Sequence, residues 1–154
     1  MFQISALPSQ RFSHLFGKPD AELQKLGVVA MTADAKPGFP CRVTLRDAEP
    51  GARVLLLNYE HQNAPTPFRS SHAIFVIDGA EDADIAPGEV PEQMLGRLLS
   101  VRAFSPEGMI VDGDVVEGAS AAATFERMLA DERVGYLHVH FAKYGCFAAR
   151  VDRA

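Results

Sequence analysis

The stretch "YLHVHFAKYGCFAARV", from Tyr136 to Val151, constrains this chain more than any other. Two runs of alternating apolar residues flank "KYG", a pattern of period two that an antiparallel hairpin satisfies and a helix does not. One placement of the turn decides which side chains share a face. A two-residue turn at Lys143 and Tyr144 opposes Phe141 to Cys146 and mixes core with charge. A three-residue "KYG" loop, with Gly145 in the left-handed conformation and a bulge beside it, shifts the pairing by one residue. Leu137, Val139 and Phe141 then align with Phe147, Ala149 and Val151 as an apolar face. Tyr136, His138, His140, Cys146, Ala148 and Arg150 take the other face, and this is the expected register.

The rest of the chain reads as a partner for that hairpin. Phe12, Leu15 and Phe16 have helical spacing, and "PDAELQKL" reads as a second short helix closed by Gly27. "GVVAMTA", "CRVTL", "RVLLLNYEH" and "HAIFVID" read as strands of an antiparallel meander. "NAPTPFRSS" and the acidic "GAEDADIAPGEVPE" read as loops. "QMLGRLLSVRAFS" begins as a helical turn and continues as a strand, followed by "MIVDGDVV". A longer helix begins after Ser120 and places Ala121, Phe125, Met128 and Leu129 on one face. With 154 residues, no internal repeat and no linker, residues 1–154 are expected to form a single α+β domain: a mainly antiparallel sheet, two short N-terminal helices, and one longer helix before the C-terminal hairpin.

Composition excludes several function classes. The net charge of −5 disfavours broad binding to nucleic acid or anionic membrane, which requires a surplus of Lys and Arg. No apolar run approaches the ~20 residues of a membrane span. "MFQISALPSQRF" lacks the pattern of a secretory signal, so the cytoplasm is the expected location. Two cysteines far apart in a reducing compartment read as thiols or ligands rather than a disulfide.

The chemistry centres on the hairpin's polar face. Imidazoles at i and i+2 of a strand point the same way, and with a thiolate they suit zinc, iron or copper. His138, His140 and Cys146 are therefore the candidate metal set, with His61 and His72 as further ligands at the borders of the "QNAPTPFRSS" loop. H-x-H also arises by chance, and local hydrogen bonding on a half-exposed face is the plainer reading. His140 and Cys146 are the candidates for acid–base or thiolate catalysis, although no triad or oxyanion motif accompanies them. Cys41 alternates with Val43 and Leu45 and reads as a small buried hydrophobe. Arg42, Arg102 and Arg150 are candidates to neutralise an anion bidentately, while pairing with the surplus carboxylates is the competing account. Asp112, Asp114 and Glu117 lack the spacing of a calcium loop and read as a solvated turn.

The segments "FPCRVTLRDAEPGARVLLLNYEHQ", "SHAIFV", "RLLSVRAF" and "HVHFAKYGCFAARV" together resemble the bacterial family called domain of unknown function 1203. The likeness covers most of the chain, and "PCR" and "GC" are its most distinctive parts. It directs attention to Cys41, Arg42, Tyr59, His61, His72, Arg102, His138, His140 and Cys146, and it implies no activity to carry over. Three classes of function remain open. The first is a module that binds a small acidic metabolite or a metal such as zinc or iron. The second is an enzyme using imidazole or Cys146 chemistry. The third is a structural or self-associating domain, with the polar face as a homodimer contact.

Overall fold

The computed structural model describes residues 1–154. Eight strands form two antiparallel sheets. The larger has β1 (Phe2–Ser5), β8 (Cys146–Arg153), β7 (Tyr136–Phe141), β5 (Leu98–Phe104) and β6 (Ile110–Glu117), in that spatial order. The smaller is a meander of β2 (Val29–Thr32), β3 (Arg53–Gln62) and β4 (Ser70–Ile77). The helices are short: α1 (Asp20–Lys25), α2 (Glu92–Leu95) and α3 (Ala121–Leu129). The chain is thus mostly antiparallel sheet with a few helices, an α+β arrangement. No helix is long and apolar enough to cross a membrane.

Helix α3 explains which face of the larger sheet becomes the main core. Ala121, Phe125, Met128 and Leu129 recur at helical spacing and are buried against Leu99, Val101, Leu137, Val139, Ala149 and Val151. The Phe2 ring meets Phe125 edge to face at 5.2 Å. The other face of the same sheet turns toward the meander. There Phe147 packs with Leu7, Phe12, Cys41, Val43, Ile74 and Val76 in a second, smaller cluster. Most apolar residues of β5, β7 and β8 therefore address α3, while Phe147 and the polar positions address the meander.

Four expectations require correction. The spacing of Phe12, Leu15 and Phe16 belongs to two single 3-10 turns, Ser9–Arg11 and Ser13–Leu15, rather than an α-helix. "CRVTL" is not a strand. Cys41 makes one parallel bridge to Phe75, and the chain then turns, with Leu45 in the left-handed region at φ 54°. The alternation that suggested a strand survives as burial of Cys41, Val43 and Leu45, but Arg42 is buried with them. Asp112, Asp114 and Glu117 lie on β6 rather than in a turn, and Arg127 of α3 reaches the first two, at 3.2 Å each.

The fourth correction concerns the hairpin. Residues 142–145 form the connection, closed by the Gly145 amide donating to the Phe141 carbonyl at 2.8 Å, with Gly145 at φ 76°. Next to it, Phe141 faces Cys146 and His140 faces Phe147, the register that apolar alternation argued against. Ala148 is then an extra residue, and beyond it Val139 meets Ala149, His138 meets Arg150 and Leu137 meets Val151. The bulge lies at Ala148, two residues into the strand, instead of at the turn. It delivers the expected pairing for the far half of the hairpin and reverses the near half. Cys146 and Ala148 join the core beneath α3, and Phe147 moves to the histidine face.

Candidate functional site

Strand pairing lines up one polar row across the larger sheet. Ser5 of β1, Arg150 of β8, His138 of β7, Arg102 of β5 and Gly113 of β6 are successive partners. His140 lies two residues from His138 on the same face, across from Ser100. This face looks toward β3, which carries a bulge of its own. Glu60 pairs with Ser71 and Gln62 with Ser70, leaving His61 as the extra residue. Bulges bend a strand and re-aim a side chain. Here one turns His61 toward His138 and His140, with ring centroids at 6.3 and 4.8 Å. Its neighbour Gln62 fixes the approach of the sheets by donating to the Tyr136 hydroxyl at 2.9 Å.

Three imidazoles thus converge between the sheets, with one ligand-capable nitrogen of each within 4.8 Å of the others. Phe147, brought to this face by its own bulge, stacks on His61 at 5.6 Å with planes 5° apart, and its edge meets His138 and His140. The site is nearly dry: His138 and His140 are 4% and 1% exposed. Burial pushes His61 down to about 4 and His138 and His140 down to about 3, with Arg102 lowering all three further. All three rings are therefore neutral at physiological pH, the state in which imidazole binds a metal.

The hydrogen bonds show which nitrogens are available. His140 Nδ1 lies 2.9 Å from the Gly145 carbonyl, an acceptor only, so Nδ1 carries the proton and Nε2 keeps its lone pair. That Nε2 has no partner, and neither do Nδ1 of His138 and Nδ1 of His61, all three shielded from solvent. A histidine that donates one N–H to a backbone carbonyl and presents the other nitrogen bare is the arrangement found behind metal ligands. A buried polar atom left unpaired costs about 1–3 kcal/mol, so three in one spot are not neutral to the fold.

The remaining candidates fall elsewhere. His72, across from Tyr59 on β4, is half-buried and bonds the Ala73 carbonyl; it is not among the three. Cys146 lies on the opposite face of the hairpin from His138 and His140, because of the bulge at Ala148. The expected His138, His140, Cys146 ligand set is not assembled, nor is a Cys146 thiol beside His140 for catalysis. Cys146 meets Arg42 instead. Arg42 is 1% exposed and donates from Nε to the Phe147 carbonyl at 2.7 Å, from Nη2 to Cys146 Sγ at 2.9 Å and from Nη1 to the Pro40 carbonyl. Its guanidinium lies over the Phe141 ring at 5.0 Å. Cys41, fully buried nearby, accepts from the Ile77 amide at 3.3 Å. Arg150 pairs with Asp152 at 2.8 Å and covers Tyr136 at 4.2 Å. Sequence reasoning missed Phe147 and Ser100 as lining residues. Phe147 could not have been placed without the Ala148 bulge, which no local composition marks.

The class of protein is now defined: a two-sheet α+β domain with a buried trihistidine cluster between its sheets. The family described as protein of unknown function (DUF1203) matches residues 38–153, and this chain belongs to it. That span contains all three histidines. Comparison with curated proteins and with solved structures gave no match.

Proposed function

We propose that His61, His138 and His140 bind a transition-metal ion, zinc foremost, leaving one coordination position open. The observation that carries this reading is the convergence of three imidazoles from two sheets, one ligand-capable nitrogen of each within 4.8 Å of the others, where every ring also has a solvent-shielded nitrogen without a partner. Three imidazoles with a vacant fourth position are a donor set that zinc takes in sites that bind or activate a further ligand. The iron pattern of two histidines and one carboxylate has no counterpart, since none of the clustered side chains is acidic. Zinc–nitrogen bonds of about 2.0–2.1 Å in a tetrahedral site hold the nitrogens about 3.4 Å apart. The widest pair, at 4.8 Å, therefore closes by roughly 1.4 Å on binding, within reach of small ring rotations.

The test is elemental analysis of protein expressed in zinc-replete medium, alongside His61→Ala, His138→Ala and His140→Ala. The expected result is a stoichiometric metal in wild type that is lost in each variant. Wild-type protein that carries no metal and takes up neither zinc nor cobalt(II) in titration overturns the reading.

A further inference from the structure

Of the three candidate arginines, Arg42 is engaged through all three of its nitrogens by two carbonyls and a sulfur, and Arg150 by Asp152. Arg102 has neither. It stands beside His138 in the β5–β7 register and is half-buried. It makes no ion pair, and its one side-chain hydrogen bond is a long one, Nε to Ser100 Oγ at 3.4 Å. Its partner on the other side, in β6, is Gly113, which brings no side chain to it. The carboxylates flanking that glycine, Asp112 and Asp114, are engaged by Arg127 from the α3 side. The sheet thus leaves one guanidinium without a counter-ion at the rim of a cluster of neutral imidazoles. Adding a divalent cation makes the site more positive still, with no acidic side chain in the ligand set to offset it.

We propose that this site takes an oxyanion, a carboxylate or phosphate group, with one oxygen on the metal's open position and another on the Arg102 guanidinium. This rests on the metal reading above. Planar guanidinium recognises both groups through paired N–H donors, and Arg102 uses only one of its five. The step is ligand exchange with no change of oxidation state: the metal–water bond breaks and the water leaves to solvent, a metal–oxygen bond to the oxyanion forms, and another oxygen of the oxyanion accepts from Arg102.

Cobalt(II) serves as a spectroscopic stand-in for zinc. The visible spectrum of the cobalt-loaded protein is followed during titration with acetate and, separately, inorganic phosphate, in wild type, Arg102→Gln and Arg102→Lys. The expected result is full cobalt uptake in all three, with a saturable spectral shift in wild type for at least one anion. The apparent affinity then falls at least ~10-fold in Arg102→Gln, with Arg102→Lys between the two. The stronger of the two titrations names the ligand as carboxylate or phosphate. Cobalt uptake with no anion-dependent shift, or with an equal shift in Arg102→Gln, overturns the inference and leaves the metal reading standing. Failure of wild type to take up cobalt overturns the metal reading, and the inference with it. Far-UV circular dichroism separates a misfolded variant from a weakened one, and Arg102→Lys keeps the test decisive if Arg102→Gln does not fold.

Discussion

The β7–β8 hairpin has a buried polar group on each side, and the two are opposites. Toward α3 and the "PCR" turn, Arg42 spends its donors on two carbonyls and the Cys146 sulfur, and beside it a single buried atom, Oε1 of the Gln93 amide that donates to the Cys41 carbonyl, lacks a partner. Toward the meander, three imidazoles are crowded together with three bare nitrogens. Buried polar groups are ordinarily satisfied, so the first side looks like architecture. The second carries a standing penalty that makes sense if something outside the chain completes it. Both clusters span the two sheets, since Arg42 follows a bridge to β4 and His61 lies on β3. Only the histidine side gathers three unpartnered nitrogens in one place.

The sharpest way to break this contrast is to remove Arg42. Arg42→Ala strands the Pro40 and Phe147 carbonyls in a dry site and leaves a cavity beside Phe141. We expect a loss of about 3–5 kcal/mol in urea unfolding, with metal content per folded molecule unchanged. A loss below about 1 kcal/mol would mean that the Arg42 cluster is not the structural side.

Next in size is the effect of metal on the histidine side. A ligand bound only by the folded state stabilises it by about 2.7 kcal/mol at one hundred times its dissociation constant. Zinc is therefore expected to raise the melting temperature of wild type and of Cys146→Ser, and to leave that of His61→Ala unmoved. A zinc effect that depends on Cys146 rather than His61 would reverse the assignment of the two sides.

Acid provides a smaller and independent probe of the metal-free protein. The folded-state values of His138 and His140, about 3, lie below the ordinary 6.5. The unfolded chain therefore binds more protons between these limits, and stability is lost as pH falls from about 6.5 toward 3. From pH 7 to pH 5 each such imidazole removes about 2 kcal/mol, above the range where most carboxylates titrate. In His138→Gln the decline over this window should be shallower by about that amount. An unchanged slope would show that His138 is already protonated, or solvated, in the fold.

Much of the fold was written in periodicity. The face of α3, the strands either side of "NAPTPFRSS" and the far half of the hairpin follow from apolar spacing alone, because one buried face forces the register. His138 and His140 were legible for the same reason: residues i and i+2 of a strand must share a side. The partner of that pair was legible only as one of two candidates, His61 or His72, with nothing in the sequence to choose between them. His61 and Phe147 reach the site, and Cys146 leaves it, through bulges at His61 and Ala148, each a matter of one extra residue. A bulge leaves hydrophobic alternation on either side intact and merely changes its phase. Arg42 was obscured differently: alternation placed it on a polar face, but a turn that brings the guanidinium to its own Pro40 carbonyl and to Cys146 and Phe147 of β8 can bury a side chain that a strand would expose.

The finest comparison is between Arg102 and Arg150, which flank His138 on its two neighbouring strands and differ in having a carboxylate. Asp152 holds Arg150 in a bond that is half-exposed, so Asp152→Asn should cost well under 1 kcal/mol of stability. The variant leaves Arg150 without a counter-ion, as Arg102 is now. If proximity to the imidazoles alone makes an anion site, Asp152→Asn should create a second one and strengthen oxyanion binding in the cobalt-loaded protein. The geometry argues otherwise, because Arg150 lies over the Tyr136 ring at 4.2 Å and that stacking does not depend on Asp152. We therefore expect oxyanion affinity within about twofold of wild type, a ratio set by screening of one partly exposed charge. A gain of tenfold or more would transfer the anion-binding role from Arg102 to whichever arginine lacks a partner.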